Sequence, residues 1–578
     1  MTFDATTQAN IDQWLNGPYD AETKTQIQAL IAAGEQTALT DSFYKSLEFG
    51  TGGMRGEMGV GCNRMNQYTV GAATQGFANY LNKCLPGQKI KVAIAHDSRN
   101  NSPEFTRIAA NIFTANGIEV YLFPALRPTP QLSFTVRELG CQAGLVITAS
   151  HNPKEYNGYK AYWADGSQVV APHDKNIVSE VNAISTVADI KFEGNDALLH
   201  ILDESIDTAY LKTIQANCRK PEVIQRQKDL KIVFSPIHGT GITLVPKALD
   251  LLGFQAVTVV EEQAIPNGNF PTVVYPNPEE KEAMTLALNK AKAIDADLVI
   301  ATDPDADRVG AAVKNQHGEW VLLNGNQMAS LILYYLLKVT DLKGHEFVAK
   351  TIVTTDLIDK MCASKGVNCY NTLTGFKYIA QVIRELEGKE KFIGGGEESY
   401  GYLIGDAVRD KDAVASCAMI AELTAYAKDQ GKSLFDFLAE MYIENNFYYE
   451  GLISLTKKGK AGAEEIKQMM INLRSNVPAS VAGSKPVTVL DYEGLVSTDL
   501  LTGIQTPIAV GRGIEASNVI QLILADGSKV SARPSGTEPK IKFYVSVNAP
   551  LASAADFDKT FAALQEKVGV IQKDLGLV

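Results

Sequence analysis

Hydrophobic residues recur at helical spacing at the start of the chain and then change to an alternation of strand-like and helix-like runs. Ile11–Leu15 and Ile27–Ile31 place apolar side chains on one helical face, so residues 1–45 are predicted to form a small helical segment before the first domain. From Lys89 onward, KIKVAIAHDSR and IEVYLF are strand-like, and Pro103–Asn116 between them is helix-like. This alternation is typical of βαβ units in a parallel sheet.

The same alternation returns twice further along the chain. A second cycle begins with LKIVFSP at Leu230 and ends in ADLVIATDPDADR, and a third begins with FVAKTIVTTD near Glu346 and reaches KFIGGGEESYG. The last part differs, because GLISL, VTVLDYEGL, NVIQLILADGSKVSARPSG and KIKFYVSV are all strand-like, with Asp526-Gly527 as a hairpin turn. We predict three similar α/β domains with mixed sheets at residues 46–205, 206–323 and 324–455, and a smaller α+β domain at residues 456–578.

The first polar loop that could carry chemistry lies in GLVITASHNPKEYNGYK, Gly144–Lys160. Its aliphatic start predicts a buried parallel strand, and the run ends at Ser150. Open α/β sheets bind ligands at the carboxyl ends of such strands, so Ser150 is a candidate reacting residue in a crevice. The alternative is a plain turn, because Ser, His and Asn all favour turns.

A second loop, ATDPDADRVG, holds three alternating carboxylates at Asp303, Asp305 and Asp307. Three carboxylates this close together repel one another unless a hard cation holds them. The spacing resembles the start of a calcium EF-hand, but that loop needs glycine and a carboxylate where this chain has Arg308 and Lys314. The pattern therefore favours a magnesium site with few protein ligands, and a solvated acidic turn is the alternative.

Three weaker patterns accompany these two. The stretch from Phe49 to Asn66 is rich in glycine and contains Arg55, which could hold a phosphate, although a glycine-rich connector would look the same. IGGGEESYGYLIG places a carboxylate and a hydroxyl after a strand end, where they could bind sugar hydroxyls or form a turn. RPSGTEPK offers a guanidinium, hydroxyls and backbone donors for a phosphate, with a turn between strands as the alternative.

Composition narrows the classes of function. The chain has 578 residues, a length typical of roughly three to five domains. A formal net charge of -12 argues against a general nucleic-acid-binding protein, which needs a basic surface. The N-terminus does not resemble a secretory signal, and no apolar run is long enough to suggest a membrane span. The seven scattered cysteines form no CxxC motif, so we expect a reducing, cytoplasmic location.

Taken together, TASHNP, DPDADR, GEES and RPSGTEP resemble the α-D-phosphohexomutases, a family that includes phosphoglucomutase and phosphomannomutase. The four motifs occur in the family's order and are separated by domain-sized intervals. The resemblance covers the chain from about Phe49 to its last domain, and it implies four domains around a central cleft, each contributing one motif.

The resemblance also implies roles for individual residues. It assigns Ser150, Lys160, Arg55 and His151 to the catalytic group, with Ser150 as the phosphoserine, Lys160 as a candidate proton shuttle, and His151 as a support for the loop or the phosphate. It assigns Mg²⁺ to Ser150, Asp303, Asp305 and Asp307. It assigns substrate binding to Arg308, Gly375, Lys377, Glu397, Ser399, Arg533, Ser535, Gly536 and Thr537.

The implied activity is the interconversion of glucose 1-phosphate and glucose 6-phosphate through glucose 1,6-bisphosphate, which is both intermediate and activator. The same mechanism on mannose, pentose or glucosamine phosphate is an alternative, as are a Mg²⁺-dependent phosphatase and a non-catalytic sugar-phosphate-binding protein. Some family members carry a histidine where this chain has Gly401, so the general acid and base stay unassigned. Sugar phosphates are the expected partners, without nucleic acid or membrane, and a homo-oligomer is left open.

Overall fold

Three helices form the N-terminal segment, as the apolar spacing of the sequence predicts. They are α1 (Ala5–Asn16), α2 (Ala21–Ala33) and α3 (Gln36–Phe43). Asp4 and Asp20 cap the first two, because each carboxylate accepts hydrogen bonds from backbone N–H groups of the first turn. Buried side chains of the three helices pack with Tyr68 of the first domain into one apolar cluster. The segment is therefore an attached part of that domain.

The computed structural model describes residues 1–50, 52–457, 459–535 and 540–577. The chain divides into a first unit, Met1–Ala312 with Gly401–Glu422, and a second unit, Val313–Tyr400 with Leu423–Val578. The described helices include none that is both long enough and apolar enough to cross a membrane.

The first domain is a six-stranded mixed sheet with helices between its strands. In chain order its elements are β1 (Gly53–Glu57), α4 (Gln67–Cys84), β2 (Lys91–His96), α5 (Ser102–Ala115), β3 (Glu119–Leu122), α6 (Thr129–Glu138), β4 (Ala143–Ile147), β5 (Tyr156–Trp163), α7 (His173–Asn182) and β6 (Leu199–Ile201). The strand order is β1-β5-β4-β2-β3-β6. Strands β4, β2, β3 and β6 run parallel, whereas β5 is antiparallel to both of its neighbours. The aliphatic run before Ser150 is thus the buried parallel strand that its composition predicts.

The second domain repeats the arrangement with fewer strands. Its elements are α8 (Glu204–Asn217), α9 (Pro221–Arg226), β7 (Ile232–Ser235), α10 (Val245–Leu252), β8 (Val257–Val259), α11 (Glu261–Ala264), α12 (Lys281–Ile294), β9 (Leu298–Thr302) and β10 (Val309–Lys314), followed by β11 (Trp320–Leu323). The strand order is β11-β10-β9-β7-β8; β7 pairs in parallel with β8 and β9, and β9 forms an antiparallel hairpin with β10. The loop of that hairpin carries the three aspartates.

The third α/β domain and the C-terminal domain follow. The third has α13 (Gly325–Val339), β12 (Glu346–Thr351), α14 (Leu357–Ser364), β13 (Asn368–Thr372), α15 (Phe376–Leu386), β14 (Lys391–Glu397), β15 (Gly401–Ile404), α16 (Ala413–Asp429) and α17 (Leu434–Asn445). Here β12 is parallel to both β13 and β14. The last domain has β16 (Phe447–Thr456), α18 (Gly459–Ser475), β17 (Pro486–Asp491), β18 (Val496–Asp499), β19 (Gln505–Pro507), β20 (Ile520–Leu524), β21 (Lys529–Pro534), β22 (Lys540–Ala549) and α19 (Phe557–Asp574).

The C-terminal sheet is antiparallel throughout, in the order β16-β22-β21-β20-β17-β18-β19. Its hairpin turn between β20 and β21 contains Gly527 at φ 80°, as the Asp-Gly signal predicts. Three α/β domains with mixed sheets followed by a β-rich domain confirm the predicted fold class. The predicted domain boundaries stay predictions.

Two stretches that the sequence predicts as loops contain strands. The glycine-rich stretch contains β1, and a Cβ at Gly53 would lie 1.8 Å from the carbonyl oxygen of Tyr159. Glycine is therefore required there for the close approach of β1 to β5. Likewise the polar loop after Ser150 ends at Glu155, and Lys160 lies within β5. The strand is difficult to predict from the sequence, because YNGYKAYW mixes Tyr and Lys with small residues.

Candidate functional site

Ser150 lies in the loop after β4, with its hydroxyl directed at the aspartate loop of the second domain. The residue is 2 % exposed and has φ 53°, a conformation that few residues other than glycine adopt. Its backbone N–H donates to Thr148 Oγ1 at 2.8 Å, and its Oγ donates to Asp303 Oδ2 at 2.8 Å. The structure thus joins the two loops that the sequence analysis selected separately.

The aspartate loop collects three carboxylates at one buried point. Asp303, Asp305 and Asp307 are at most 1 % exposed, and one carboxylate oxygen from each lies within 4.8 Å of the others. Asp303 Oδ1 accepts hydrogen bonds from the backbone N–H groups of Asp307 at 3.2 Å and Arg308 at 3.0 Å. These bonds fold the loop back on itself and turn its side chains inward.

Two lysines from other elements offset part of this negative charge. Lys160 Nζ lies 2.6 Å from Asp305 Oδ2 and 3.1 Å from Asp307 Oδ2, and Lys411 Nζ lies 3.2 Å from Asp307 Oδ2. Burial, reinforced by its two neighbouring carboxylates, raises the pKa of Asp303 well above its usual range. Although burial acts in the opposite direction, Asp305 and Asp307 raise the pKa of Lys160, so this side chain holds its proton firmly.

The carboxylates fit a divalent cation. Asp305 Oδ1 and Asp307 Oδ1 are buried and have no hydrogen-bond partner among the described residues. Buried carboxylate oxygens without donors are costly, and carboxylate oxygens are the ligands that hard cations such as Mg²⁺ prefer. Ser150 Oγ, 2.8 Å from Asp303 Oδ2, stands where it could add a fourth oxygen. The triad could therefore bind a metal ion, as its spacing predicts.

His151 and Arg55 lie beside Ser150. The Nδ1 atom of His151 is 3.2 Å from Ser150 Oγ, and Arg55, on β1, donates from Nη1 to Asn152 Oδ1 at 3.1 Å. Burial and the positive charges of Arg308 and Arg55 lower the pKa of His151 to about 2, so its ring is neutral. A neutral imidazole at that distance can position the serine side chain without adding charge.

Arg308 directly follows the aspartate loop and contacts residues of the second domain. Its Nη1 donates to Glu279 Oε1 at 3.1 Å, and its Nε lies 3.8 Å from Asp307 Oδ1. The structure therefore brings Arg308 and Arg55 to the same loops as Ser150 and the three aspartates.

Lys411 was not selected from the sequence. It belongs to the run Arg409–Asp412, four consecutive charged residues that are all buried. Besides Asp307, its Nζ contacts Asp410 Oδ1 at 3.1 Å, and Asp410 Oδ2 accepts a hydrogen bond from Tyr162 OH at 2.6 Å. A charged run usually marks a solvated turn, so the sequence alone carried no sign that this one is buried.

Gly401 explains how Lys411 reaches the triad. A Cβ at Gly401 would lie 2.0 Å from Lys411 Cδ, so any side chain at this position would displace the lysine. The stem of Lys411 therefore fills the space that a side chain at residue 401 would need.

The remaining site residues belong to the second unit. Glu397 ends β14, and its Oε1 accepts a hydrogen bond from the backbone N–H of Gly375 at 2.8 Å. Gly375 has φ 115° and ψ 123°, which only glycine adopts readily, and it directly precedes α15. Lys377 lies in the first turn of that helix, with Nζ 5.0 Å from the ring centre of Tyr378. Ser399 follows two residues after Glu397.

Arg533 lies on β21 and Ser535 directly after it, exposed, whereas Gly536 and Thr537 lie outside the described residues. Tyr544, on β22, was also not selected from the sequence. Burial together with the charge of Glu398 raises the pKa of Tyr544 to about 12, while Arg533 opposes this. Tyr544 therefore lies near both the arginine of the fourth motif and the acidic loop of the third.

Comparison with known proteins agrees with this arrangement. Models of the phosphoglucomutase/phosphomannomutase α/β/α domains I, II and III match residues 46–188, 208–318 and 324–444. A phosphoglucomutase of Staphylococcus haemolyticus is 38% identical over 88% of this chain and 91% of its own length. One of Staphylococcus aureus MRSA252 is 36% identical over 90% and 92%.

Solved structures show the same fold. Parafusin, a phosphoglucomutase from Paramecium in its open form, aligns with TM-score 0.68 and 16% identity over 92% of this chain and 96% of its own. A phosphoglucomutase/phosphomannomutase family protein from Burkholderia thailandensis aligns with TM-score 0.64 and 19% identity over 90% and 97%. Domain models that match more than half of the chain, and relatives that match most of it, lead to one conclusion: the chain belongs to the α-D-phosphohexomutase family.

Proposed function

We propose that the chain interconverts glucose 1-phosphate and glucose 6-phosphate, with Ser150 as the carrier of the phosphoryl group. The observation that carries this proposal is the 2.8 Å contact of Ser150 Oγ with Asp303 Oδ2, which places a serine hydroxyl at a triad of buried carboxylates. The phosphoglucomutase activity named for the staphylococcal relatives supports glucose phosphates as the substrates.

In the proposed reaction the bond from phosphorus to Ser150 Oγ breaks as a new bond to a sugar hydroxyl oxygen forms. The sugar hydroxyl gives up its proton and Ser150 Oγ takes one up, so the serine is left as a free hydroxyl and the protons balance. The product is glucose 1,6-bisphosphate, which turns around in the site and returns its other phosphoryl group to Ser150 Oγ. The same bisphosphate, supplied from outside, would phosphorylate an unmodified Ser150 and so activate the enzyme. Catalysis of this kind depends on positioning and on charge stabilisation.

Several side chains of the first unit suit these steps. Arg55 and Arg308 carry permanent positive charge at the loops of Ser150 and Asp307, where phosphoryl oxygens would lie. Lys160 holds a proton at Nζ between Asp305 and Asp307, so it can donate a proton but is a poor base while both carboxylates are charged. We propose Mg²⁺ as the ion of the triad, and when bound it supplies charge that offsets the negative charge of the transferring group.

In the second unit we assign binding of the sugar hydroxyls to Glu397 and Ser399, with Gly375 and Lys377 beside them. Gly375 supports this role because its N–H fixes the orientation of the Glu397 carboxylate. We assign the phosphate that does not react to Arg533 and Ser535, together with Gly536 and Thr537. We also propose a cytoplasmic location, which seven free cysteines support. Homo-oligomerisation stays a prediction.

One assay series tests the proposed function. The purified protein is given glucose, mannose, ribose and glucosamine 1-phosphates in turn, and formation of each isomer and of free phosphate is followed. We expect the highest kcat/KM for glucose 1-phosphate and no release of phosphate in step with turnover. Preference for another sugar would reassign the substrate, phosphate release would make the chain a phosphatase, and no turnover of any of them would leave only a binding protein.

A further inference from the structure

A third arginine, Arg99, is buried against the loop of Ser150. It follows β2 and is 1 % exposed. Its Nη2 donates to the carbonyl oxygen of Ser150 at 2.6 Å and to that of Asn152, and its Nη1 donates to the carbonyl oxygens of Pro153 at 2.7 Å and Tyr156 at 2.9 Å. One guanidinium therefore fixes three backbone carbonyls of the Ser150 loop and that of Tyr156, the first residue of β5.

Asp97 extends this network to the other side of Ser150. Its Oδ2 lies 3.3 Å from Arg99 Nε and accepts a hydrogen bond from Thr148 Oγ1 at 2.7 Å. The same Thr148 Oγ1 accepts from the N–H of Ser150 at 2.8 Å. Both backbone polar groups of Ser150 are thus held in place. Its N–H is held by Asp97 through Thr148, and its carbonyl oxygen is held by Arg99, which lies beside Asp97.

The network holds a residue in an unfavourable conformation. With φ 53°, Ser150 would relax to a more common backbone conformation if its N–H and carbonyl were released. Relaxation would turn its Oγ away from Asp303, because the direction of a side chain follows the backbone dihedral angles. The contact of 2.8 Å between Ser150 Oγ and Asp303 Oδ2 therefore depends on what holds the loop.

The second domain covers the arginine. The ring centre of Phe270 lies 5.1 Å from Arg99 Cζ. Gly268 approaches so closely that a Cβ there would lie 2.3 Å from the backbone nitrogen of Asn100. Because water is kept from the guanidinium, its hydrogen bonds to the carbonyls are stronger than they would be at the surface.

We propose that Arg99 is a positioning residue for phosphoryl transfer, which holds the Ser150 loop in the one conformation that presents Oγ to the aspartate triad. The inference rests on the proposed function, because it assumes that Ser150 is the residue that reacts. Arg99 itself does not contact the reacting atoms, since its Nη1 and Nη2 donate to backbone carbonyls and its Nε lies beside Asp97. A planar guanidinium with five N–H donors can serve these acceptors together, and a single ammonium group cannot.

The test compares Arg99→Lys with Arg127→Lys. Arg127 is a matched control because it is a largely buried arginine of the same domain, whose Nε and Nη2 donate to Asp207 at 3.1 and 3.0 Å and not to the Ser150 loop. We expect Arg99→Lys to lower kcat by about 10²-fold, the loss typical of a small misplacement of a reacting group, with little change in KM. Arg127→Lys should lose thermal stability to a similar extent and keep its kcat.

Thr148→Val is a second variant that removes the link with almost no change in volume. This variant should fold, and its kcat should fall as in Arg99→Lys while its KM stays nearly unchanged. Thr148→Ser keeps the hydroxyl, so its kcat should be close to that of the wild type. Thermal unfolding of each variant shows whether the protein is folded. If Arg99 had a purely structural role, these variants would lose stability, but kcat would not fall in Thr148→Val and return in Thr148→Ser.

Hydrogen–deuterium exchange gives a readout that does not depend on activity. Exchange in residues 148–157 should rise in Arg99→Lys and Thr148→Val and stay at the wild-type level in Arg127→Lys. Wild-type kcat in folded Arg99→Lys and Thr148→Val, or unchanged exchange in this segment, would overturn the proposal. If Ser150→Ala kept full activity, the proposed function would fail instead, and the exchange data would still decide whether Arg99 holds the loop.

Discussion

Ser150 Oγ donates a hydrogen bond of 2.8 Å to Asp303 Oδ2, although 153 positions separate the two residues along the chain. Each residue lies in a loop at the carboxyl end of a buried strand, β4 in the first domain and β9 in the second. Neither loop has the means for phosphoryl transfer alone, because the hydroxyl is a weak nucleophile and the carboxylates carry no group to transfer. The arrangement that we propose for phosphoryl transfer exists only where the two loops meet.

Substitution of Ser150 by alanine should abolish turnover, because no other group in this position can accept the phosphoryl group. We expect kcat for glucose 1-phosphate to fall by at least about 10³-fold, with glucose phosphate binding largely kept. Ser167→Ala is the matched control, since Ser167 is equally buried in the same domain and its Oγ donates to Asp165 instead. A gain of about 80 Da, one phosphoryl group, should be found by intact-mass measurement on the wild type and on Ser167→Ala only. Turnover by Ser150→Ala would contradict the assignment.

Chelation should remove activity, and Mg²⁺ should both restore it and stabilise the fold. A ligand that binds only the folded state at 100 times its dissociation constant adds about 2.7 kcal/mol to the free energy of unfolding. The thermal midpoint of the wild type should therefore rise with Mg²⁺, while Asp305→Asn, which weakens the triad, should respond little. Asp207→Asn alters a buried carboxylate outside the triad and should respond like the wild type. Equal thermal midpoints of the wild type with chelator and with Mg²⁺ would show that the triad does not bind Mg²⁺.

The sequence predicted those parts of the site that depend on local pattern. Asp303, Asp305 and Asp307 stand at alternate positions after an aliphatic strand, and strand ends of parallel sheets are where ligands bind, so spacing and composition located them. Lys411 could not be found in this way. Its position at Asp307 depends on the missing side chain of Gly401, which is a packing relation between two separate segments and leaves no pattern in either.

The positions of Lys160 and Tyr544 also depend on packing between separate segments, which the sequence pattern does not show. Lys160 is expected in a loop, yet it lies on β5, which pairs with β4 on one side and, through the close approach of Gly53 to Tyr159, with the edge strand β1 on the other. Tyr544 lies on a strand that the sequence predicts, but its position near Arg533 and Glu398 depends on how two domains of the second unit pack. Strand and helix positions follow from local periodicity, whereas contacts across domains do not.

Gly375→Ala should weaken both the fold and the binding of the sugar phosphate. At φ 115° and ψ 123° an alanine is strained by about 1–3 kcal/mol, and relief of that strain would move the N–H that holds Glu397. We expect a lower midpoint of urea denaturation and a several-fold higher KM, with kcat less affected. Gly388→Ala, at φ 76° with open space around it in the same domain, should lose stability without a change in KM. Equal KM values in the two variants would argue against a role of Glu397 in binding.

Asp412 should make stability depend on pH. It is 2 % exposed, and burial raises its pKa to about 6 from the usual 3.8, while hydrogen bonds from Tyr210 OH and the backbone N–H of Ala415 oppose the shift. Because the folded state binds the proton more tightly than the unfolded state, stability from this group is complete below pH about 4 and is lost as the pH rises through 6.

Asp412→Asn cannot ionise, and it keeps an oxygen that can accept the hydrogen bond from Tyr210. The free energy of unfolding of this variant, relative to the wild type, should therefore increase between pH 5 and pH 7.5, by about 1–1.5 kcal/mol. Urea denaturation of both proteins across this range measures the difference. Tyr210→Phe is the companion variant, because loss of its hydroxyl removes one bond that favours the charged carboxylate and should move the transition to higher pH. A pH-independent difference between Asp412→Asn and the wild type would show that Asp412 does not titrate in this range.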